Sequence, residues 1–300
     1  MQAGRRPWLW GLIGTASVLA IFFLVILLIT VLLTGGEGLT DGGTKIGVIA
    51  IEGLISSDLA EKTVRLLTKY ADDASIKAIV LRIDSPGGGV ASSQEIYDEV
   101  RRVQSGGKLV VASLGSVAAS GGYYIACVAN RIFAHAGTVT GSIGVLVQLA
   151  NAEELLRKIG IESTVITSGP FKDSGSPMRA LRPEERQVFQ ALVDDVYQQF
   201  VEAVAQGRNL PVGEVRQAAD GRIYTGRQAK DLHLVDELGS FQDAITYAAT
   251  TIGVEGKPKL VQEGKERFWW LKYMLERVPD SFLWRSMSKA EAVLQYRWPY

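Results

Sequence analysis

The sequence contains little of what disulfides, metal sites and nucleic-acid-binding surfaces require. Its 300 residues include one cysteine, Cys127, and two histidines, His135 and His233. A single cysteine excludes an intramolecular disulfide and a cysteine-based zinc cluster, and two histidines leave little material for a histidine-rich metal site. Lys and Arg number 32, as do Asp and Glu, so the formal charge is zero and the chain offers nucleic acid no electrostatic footprint.

Several motifs of common enzyme classes are also missing. The sequence has no Gly-x-Ser-x-Gly elbow, no Walker A loop, no Gly-x-Gly-x-x-Gly fingerprint and no His-Glu-x-x-His pair. The signatures of α/β-hydrolases, P-loop nucleotide hydrolases, dinucleotide-binding folds and zinc metalloproteases are therefore absent.

The mean hydropathy of +0.12 is high for a soluble chain, and one run explains the excess. Residues 8–34 carry no charge, and 21 of these 27 residues are apolar. As a helix the run reaches about 40 Å, more than the ~30 Å hydrocarbon core of a bilayer. A cleaved signal peptide is the alternative, but its apolar core spans only about 7–15 residues. The length favours an uncleaved transmembrane anchor.

The charges around this run predict its orientation. Arg5 and Arg6 precede it, whereas Glu37 and Asp41 follow it and no basic residue occurs before Lys45. The positive-inside rule then makes residues 1–7 a cytoplasmic stub and places the rest of the chain outside the cytoplasm. Five glycines within residues 35–44 predict a flexible linker between the anchor and the following domain.

Beyond the linker, strand-like and helix-like patterns alternate, which predicts an α/β fold with helices packed on a sheet. The predicted strands are residues 45–55, 76–83, 108–114, 132–136, 143–149 and 163–167. The predicted helices are residues 59–70, 93–104, 120–129, 153–159 and 183–206.

Two segments of this domain carry unusual patterns. Residues 84–90 (DSPGGGV) follow an apolar strand, and their glycine amides could approach an anionic ligand closely, although a simple tight turn is the alternative. Ser120 opens a predicted helix between small residues, which suits either a helix N-cap or a nucleophile with room for substrate.

A nucleophilic serine needs a base. His135 lies in a predicted strand and His233 shows no sign of an orienting triad, so neither is favoured. A lysine can serve if it is neutral, and Lys172 is the best placed by its context, although composition alone predicts an ordinary surface-loop lysine.

Taken together, these segments resemble the short form of the signal peptide peptidase A family. Its members are membrane serine proteases with a Ser/Lys dyad and a Clp-protease/crotonase-like fold, a ββα spiral domain. Five motifs match in the family's order and spacing and are specific in combination. They are residues 84–90 (DSPGGGV), 116–124 (SVAASGGYY), 137–145 (GTVTGSIGV), 169–177 (GPFKDSGSP) and 221–239 (GRIYTGRQAKDLHLVDELG).

The resemblance assigns roles to five residues within a peptidase domain of residues 45–263. It implies that Ser120 is the nucleophile, Lys172 the general base and Ser142 the residue that orients the lysine. It also implies that the amides of Gly87 and Gly121 form the oxyanion hole. The implied reaction is acyl transfer through an acyl-enzyme, without a metal, nucleotide or organic cofactor.

The resemblance also implies a setting for this reaction. Substrates would be signal peptides left in the bacterial cytoplasmic membrane after cleavage, and in some members other membrane or misfolded proteins. Protomers would form a ring in which the serine and lysine of one site come from neighbouring subunits. Related folds also host acyl-CoA enzymes, whose substrates are cytoplasmic, and non-catalytic scaffolds of membrane complexes; a scaffold is the alternative retained here.

The C-terminal segment, residues 264–300, falls outside the family pattern. It holds nine of the 25 aromatic residues and seven Lys or Arg against four Asp or Glu. Tryptophan together with basic residues is typical of segments at a membrane interface. We therefore expect this tail to lie on the bilayer surface or to fold over the ring; the alternative is a helix that docks on the domain.

Overall fold

The computed structural model describes residues 17, 19–26, 44–262 and 295–297. Residues 1–43 form one unit and residues 44–300 another. In the first unit, residues 17 and 19–26 are helical; the remainder of the expected stub, anchor and linker lies outside the described residues. Among the described residues, no helix has the length and apolarity needed to cross a membrane.

The second unit alternates strands and helices along most of its length. Its strands are β1 (Lys45–Glu52), β2 (Ile76–Ser85), β3 (Gly87–Gly89), β4 (Leu109–Ala119), β5 (Arg131–Ala134), β6 (Val139–Gly141), β7 (Ile223–Thr225), β8 (Glu237–Leu238), β9 (Lys259–Gln262) and β10 (Gln295–Arg297). Its helices are α1 (Ser57–Asp72), α2 (Val90–Ser105), α3 (Gly121–Ala126), α4 (Glu153–Lys158), α5 (Pro183–Arg208), α6 (Val212–Ala218), α7 (Gly226–Asp231) and α8 (Phe241–Thr251).

Eight strands form one sheet with the order β7-β6-β4-β2-β1-β9, and β5 joins β4 to β8. The pairs are parallel except for β6 with β7. The long strand β4 pairs with β5 through residues 111–113 and with β6 through residues 117–119. A short second sheet pairs β3 with β10 in antiparallel orientation.

Helices cover the main sheet on both faces, which explains why its central strands read as continuous apolar runs. In β1, Ile49 and Ile51 belong to the larger core with α1, α2, α3 and α5, whereas Ile46 and Val48 pack with α8 on the other face. Side chains alternate between the faces of a strand, so a strand buried on both sides has few places for a polar residue.

Two predicted strands are wrong. Residues 143–149 and 163–167 form no strand, although both are rich in β-branched residues. Residues 160–168 are all exposed, and Ile166 is 95% exposed. High β-propensity describes a side chain that fits a half-buried sheet, and no described strand of the chain lies beside residues 163–167 to supply that surface.

Close packing between α5 and the end of α3 gives a test of this fold. A Cβ on Gly207 would lie 2.4 Å from the carbonyl oxygen of Cys127, whereas a Cβ on Gly213 would meet nothing within 4 Å. We expect Gly207→Ala to lower the free energy of unfolding by about 1–3 kcal/mol because the backbones must separate. The matched variant Gly213→Ala should be neutral or gain up to about 1 kcal/mol from helix propensity.

Thermal unfolding of the detergent-solubilised full chain, followed by circular dichroism, measures both effects. Equal stabilities for the two variants would contradict the packing of α5 against α3.

Candidate active site

Three neighbouring strands bring the candidate residues together. β2, β4 and β6 are adjacent and parallel, so their carboxyl ends meet at one edge of the sheet. β2 runs into Gly87, β4 into Ser120 and Gly121, and β6 into Ser142. Four of the five residues implied by the resemblance therefore lie at this edge.

Ser120 occupies a sharp turn between β4 and α3. It is 1% exposed and has a φ of 54° and a ψ of −118°, a left-handed conformation that serine seldom adopts. Its hydroxyl makes no capping hydrogen bond to α3, so the N-cap alternative does not explain this residue. A strained backbone of this kind costs about 1–3 kcal/mol and persists where the surrounding structure holds it in place.

Ser142 lies directly beside Ser120. The amide of Ser120 donates a hydrogen bond of 2.8 Å to the carbonyl of Gly141, the residue before Ser142. Ser142 is also buried and also left-handed, with a φ of 52°, and its amide donates to the carbonyl of Arg222 at 2.8 Å. Hydrogen bonds from their own amides therefore position both serines.

The glycine strand β3 is paired along both edges. On one edge the amide of Ile55 donates to Gly87 and the amide of Gly89 donates to Ile55, each at 2.9 Å. The other edge pairs with β10, with Gly88 opposite Tyr296. A Cβ on Gly88 would lie 2.2 Å from the carbonyl oxygen of Ile55, so this close approach requires glycine.

The two expected oxyanion donors differ in their surroundings. The Gly87 amide donates to the hydroxyl of Ser85 at 3.1 Å, and Gly87 has a φ of 105°. Gly121 is the first residue of α3, where amides have no acceptor within the helix. A Cβ on the next residue, Gly122, would lie 3.0 Å from the carbonyl of Ser85, so α3 packs tightly against the end of β2.

Sequence reasoning missed the residues that support this edge. Asp84 accepts from the amide of Val117 at 3.0 Å, and Thr140 donates to the carbonyl of Ala118 at 2.7 Å. Both contacts tie neighbouring strands together immediately before the candidate residues. Asp84 and Thr140 lie within the matching motifs, but their spacing alone does not indicate a cross-strand role.

Lys172 lies apart from this group in the chain, in a turn between α4 and α5. Its side chain is exposed, and its amide donates to the carbonyl of Gly169 at 3.2 Å. Within the described part of the chain, no hydrogen bond joins the Lys172 ammonium to Ser120 or Ser142. The same holds for the exposed side chains of His135 and His233.

Cys127 is not a competing nucleophile. It directly follows the last residue of α3 and is fully buried, and burial raises the pKa of its thiol to about 12. The thiolate is the reactive form of cysteine, so this side chain stays a neutral, inert thiol near neutral pH.

Two cavities lie near the candidate residues. One of about 390 Å³ is lined by Ser142 and by residues that include Val145 and Tyr197. A second of about 540 Å³ is lined by residues of the loop that carries Lys172, and Val193 borders both cavities. Each volume is in the range of pockets that bind small ligands.

Comparison with known proteins identifies the family of this chain. The family model for peptidase family S49 matches residues 102–255, and the model for Clp protease matches residues 44–139. The chain is 48% identical over 216 residues to "Putative protease slr0021" of Synechocystis sp., which covers 72% of this chain and 77% of that protein.

Two further relatives extend this similarity. The chain is 40% identical to "Putative signal peptide peptidase SppA" of Enterococcus faecium, across 60% of this chain and 52% of that protein. It is 35% identical to "Serine protease SPPA, chloroplastic" of Arabidopsis thaliana, across 70% of this chain and 33% of that protein. The expected α/β Clp-protease-like fold and family are confirmed: the chain belongs to peptidase family S49 and is a serine-type peptidase.

Proposed function

We propose that this chain is a membrane-anchored endopeptidase that degrades residual signal peptides and other membrane or misfolded proteins. The observation that carries the proposal is Ser120, buried and left-handed at the end of β4, beside Ser142 and at the sheet edge where β2 leads into the glycine strand β3. The name of the Enterococcus faecium relative supports signal peptides as the substrate class.

The proposed reaction uses Ser120 as nucleophile and Lys172 as general base. Neutral Lys172 removes the hydroxyl proton, and the Ser120 oxygen attacks the peptide carbonyl carbon. The amides of Gly87 and Gly121 stabilise the oxyanion, for which one donor is typically worth about 2.7–4 kcal/mol. The C–N bond then breaks and the lysine returns its proton to the leaving amine. Water attacks the acyl-enzyme while Lys172 takes its proton, the ester bond to Ser120 breaks, and the lysine returns the proton to the serine oxygen.

For Gly87 this role requires a change of hydrogen-bond partner. Its amide donates to the hydroxyl of Ser85 at 3.1 Å, and an oxyanion is a stronger acceptor than a hydroxyl.

The Ser142 hydroxyl is proposed to form a hydrogen bond with the Lys172 amine and so to orient the lysine. The burial of Ser142 beside Ser120 suits this role.

We infer that the lysine of one site comes from a neighbouring protomer of a ring. Two facts support this arrangement. The Lys172 side chain is exposed, and within the described residues no hydrogen bond joins it to Ser120. The exposed apolar side chains of Ile161, Val165 and Ile166, close to Lys172 in the chain, supply a surface that another protomer could cover.

Peptide substrates are proposed to bind as an extended strand along Gly87–Gly89. The pairing of β10 with β3 supports this, because that edge already accepts an antiparallel strand of the same chain. Main-chain hydrogen bonds along a strand do not depend on side-chain identity, which suits an enzyme that degrades many sequences.

The proposed location is the bacterial cytoplasmic membrane. Residues 1–7 would be cytoplasmic, residues 8–34 would span the bilayer, residues 35–44 would form the linker, and the domain of residues 45–263 would be extracytoplasmic. The aromatic and basic tail, residues 264–300, is proposed to contact the bilayer surface or the ring near the site, and its strand β10 lies beside β3.

Mixing two inactive variants tests the shared site. Ser120→Ala and Lys172→Ala should each lower hydrolysis of a peptide ester by about 10³-fold or more while the protein stays folded. If each site takes Ser120 and Lys172 from different protomers, equal mixing before assembly restores both residues in about a quarter of the sites. Activity near that fraction is expected.

Each variant alone is the control for this mixture. No recovery with full mixing would assign both residues to one protomer, and full activity of Lys172→Ala would contradict the lysine base. An intact oligomer of unaltered chain that never turns over any peptide would favour the scaffold alternative.

The pH dependence of the reaction tests the base separately. A lysine accepts a proton only when neutral, so kcat/KM should rise towards alkaline pH. Peptide-ester hydrolysis by the unaltered protein, corrected for uncatalysed hydrolysis at each pH, measures the profile. A flat profile would contradict Lys172 as general base.

The strand pairing of β10 tests where peptides bind. A substrate strand and residues 295–297 cannot occupy the same edge of β3, so deletion of residues 295–300 should lower KM for a long peptide by several-fold. A two-residue ester that does not reach along β3 is the matched control and should keep its KM. An unchanged KM for both substrates would contradict peptide binding at this edge.

A further inference from the structure

A connected group of charged side chains surrounds Glu185. This residue lies in the first turn of α5 and is the one charged residue of the described chain that is fully buried. Burying a carboxylate is costly unless partners satisfy it, so the surrounding donors indicate a specific structural requirement.

Three residues donate to Glu185. Arg179 binds both carboxylate oxygens, at 2.9 and 2.5 Å, through two guanidinium nitrogens. Arg182 donates its amide at 3.0 Å and its guanidinium at 2.5 Å, and the Ser174 hydroxyl donates at 3.2 Å. These hydrogen bonds, from Arg179 first and then Arg182, hold the pKa of Glu185 well below its usual range, so it is ionised at every physiological pH.

The same group fixes the backbone on both sides of Lys172. Two residues before the lysine, the carbonyl of Pro170 accepts from the Arg182 guanidinium. Directly after it, the Asp173 carboxylate accepts from Arg179 at 2.8 Å, and the next residue is Ser174, which binds Glu185. The lysine is therefore held at positions −2, +1 and +2 by one connected network.

The lysine side chain itself is left out of this network. The Lys172 ammonium makes no hydrogen bond or ion pair with any residue that the structure describes. Two acids are nevertheless close in the chain: Asp173 is the next residue of the loop, and Glu185 lies in the first turn of α5. Both acids are instead occupied by arginines. The ion pairs thus tie down the loop around Lys172 and leave its ammonium without a partner among the described residues.

Helix capping alone does not require all of these contacts. The bond from the Arg182 amide to Glu185 satisfies the start of α5, and Pro183 needs no donor there. Arg179 and Ser174 donate to the Glu185 carboxylate rather than capping the backbone of that helix end, and Asp173 pairs with Arg179. Through Glu185 these contacts connect the loop of residues 169–182 to α5.

We propose that the Asp173–Arg179–Glu185 network positions Lys172 for the reaction. This inference rests on the proposed function, in which Lys172 is the general base. Arg179 is the central positioning residue because its planar guanidinium binds Asp173 and Glu185 at the same time. A lysine at position 179 keeps the charge but cannot reproduce this fork.

Arg179→Lys tests the proposal, with Arg65→Lys as matched control. Arg65 is an exposed arginine on α1 that forms one ion pair, with Glu61 at 2.7 Å, outside this network. A displaced base slows chemistry more than it weakens binding, so Arg179→Lys should lower kcat about 10- to 100-fold and change KM by less than about 2-fold. Arg65→Lys should change neither.

A double variant separates positioning from simple loss of stability. If Arg179 acts through the lysine, adding Arg179→Lys to Lys172→Ala should cause no further loss of the residual ester hydrolysis. An arginine that only stabilises the fold would lower the folded fraction equally in both backgrounds. Rates are therefore expressed per folded protein, with folding checked by circular dichroism.

Asp173→Asn provides a second, milder variant if Arg179→Lys does not fold. It weakens the contact of Arg179 with residue 173 while the ion pair of Arg179 with Glu185 remains. It should also lower kcat, by less than Arg179→Lys does. Unchanged kcat per folded protein in both variants, or losses that multiply with Lys172→Ala, would overturn the proposal. Full activity of Lys172→Ala itself would instead overturn the proposed function.

Discussion

The parallel register of β2, β4 and β6 places Ser120 and Ser142 at one edge of the sheet, where the carboxyl ends of these strands meet. Because β4 pairs with β2 on one side and with β6 on the other, its end is held between Ser85 and Gly141, directly before Ser120. The hydrogen bond from the Ser120 amide to Gly141 completes this arrangement and helps to hold a backbone conformation that serine avoids. Helices on both faces bury the sheet, so this edge is supported by the whole core.

The loop of the proposed base, Lys172, is held in a different way. Ser120 and Ser142 are placed by backbone hydrogen bonds at the end of the sheet, whereas this loop is tied to α5 by ion pairs of Arg179 and Arg182 with the buried Glu185. Sheet pairing fixes a position within one protomer. A loop that is rigid, exposed and attached to the outside of a domain can instead present a side chain to another protomer, which is the arrangement that the proposed shared site requires.

The sequence predicted the fold well where local patterns carry the information. The apolar run of residues 76–83 and the helix beginning at Pro183 are confirmed as β2 and α5. Residues 163–167 are also rich in β-branched residues, but no strand in the described part of the chain pairs with them, and propensity alone cannot show that. The contacts of Asp84, Thr140 and Glu185, like the pairing of β3 with β10, join positions whose partners no local pattern identifies. The motifs indicated Ser120 and Lys172, but not how each is held.

The most direct test of the account is the site of covalent modification by a fluorophosphonate, a probe of activated serines. We expect mass spectrometry of the labelled and digested full chain to find the adduct on Ser120 alone, because its hydroxyl is the one proposed to lose a proton to a base. Labelling of Ser142 or another residue, or no labelling of an intact oligomer, would contradict Ser120 as the nucleophile.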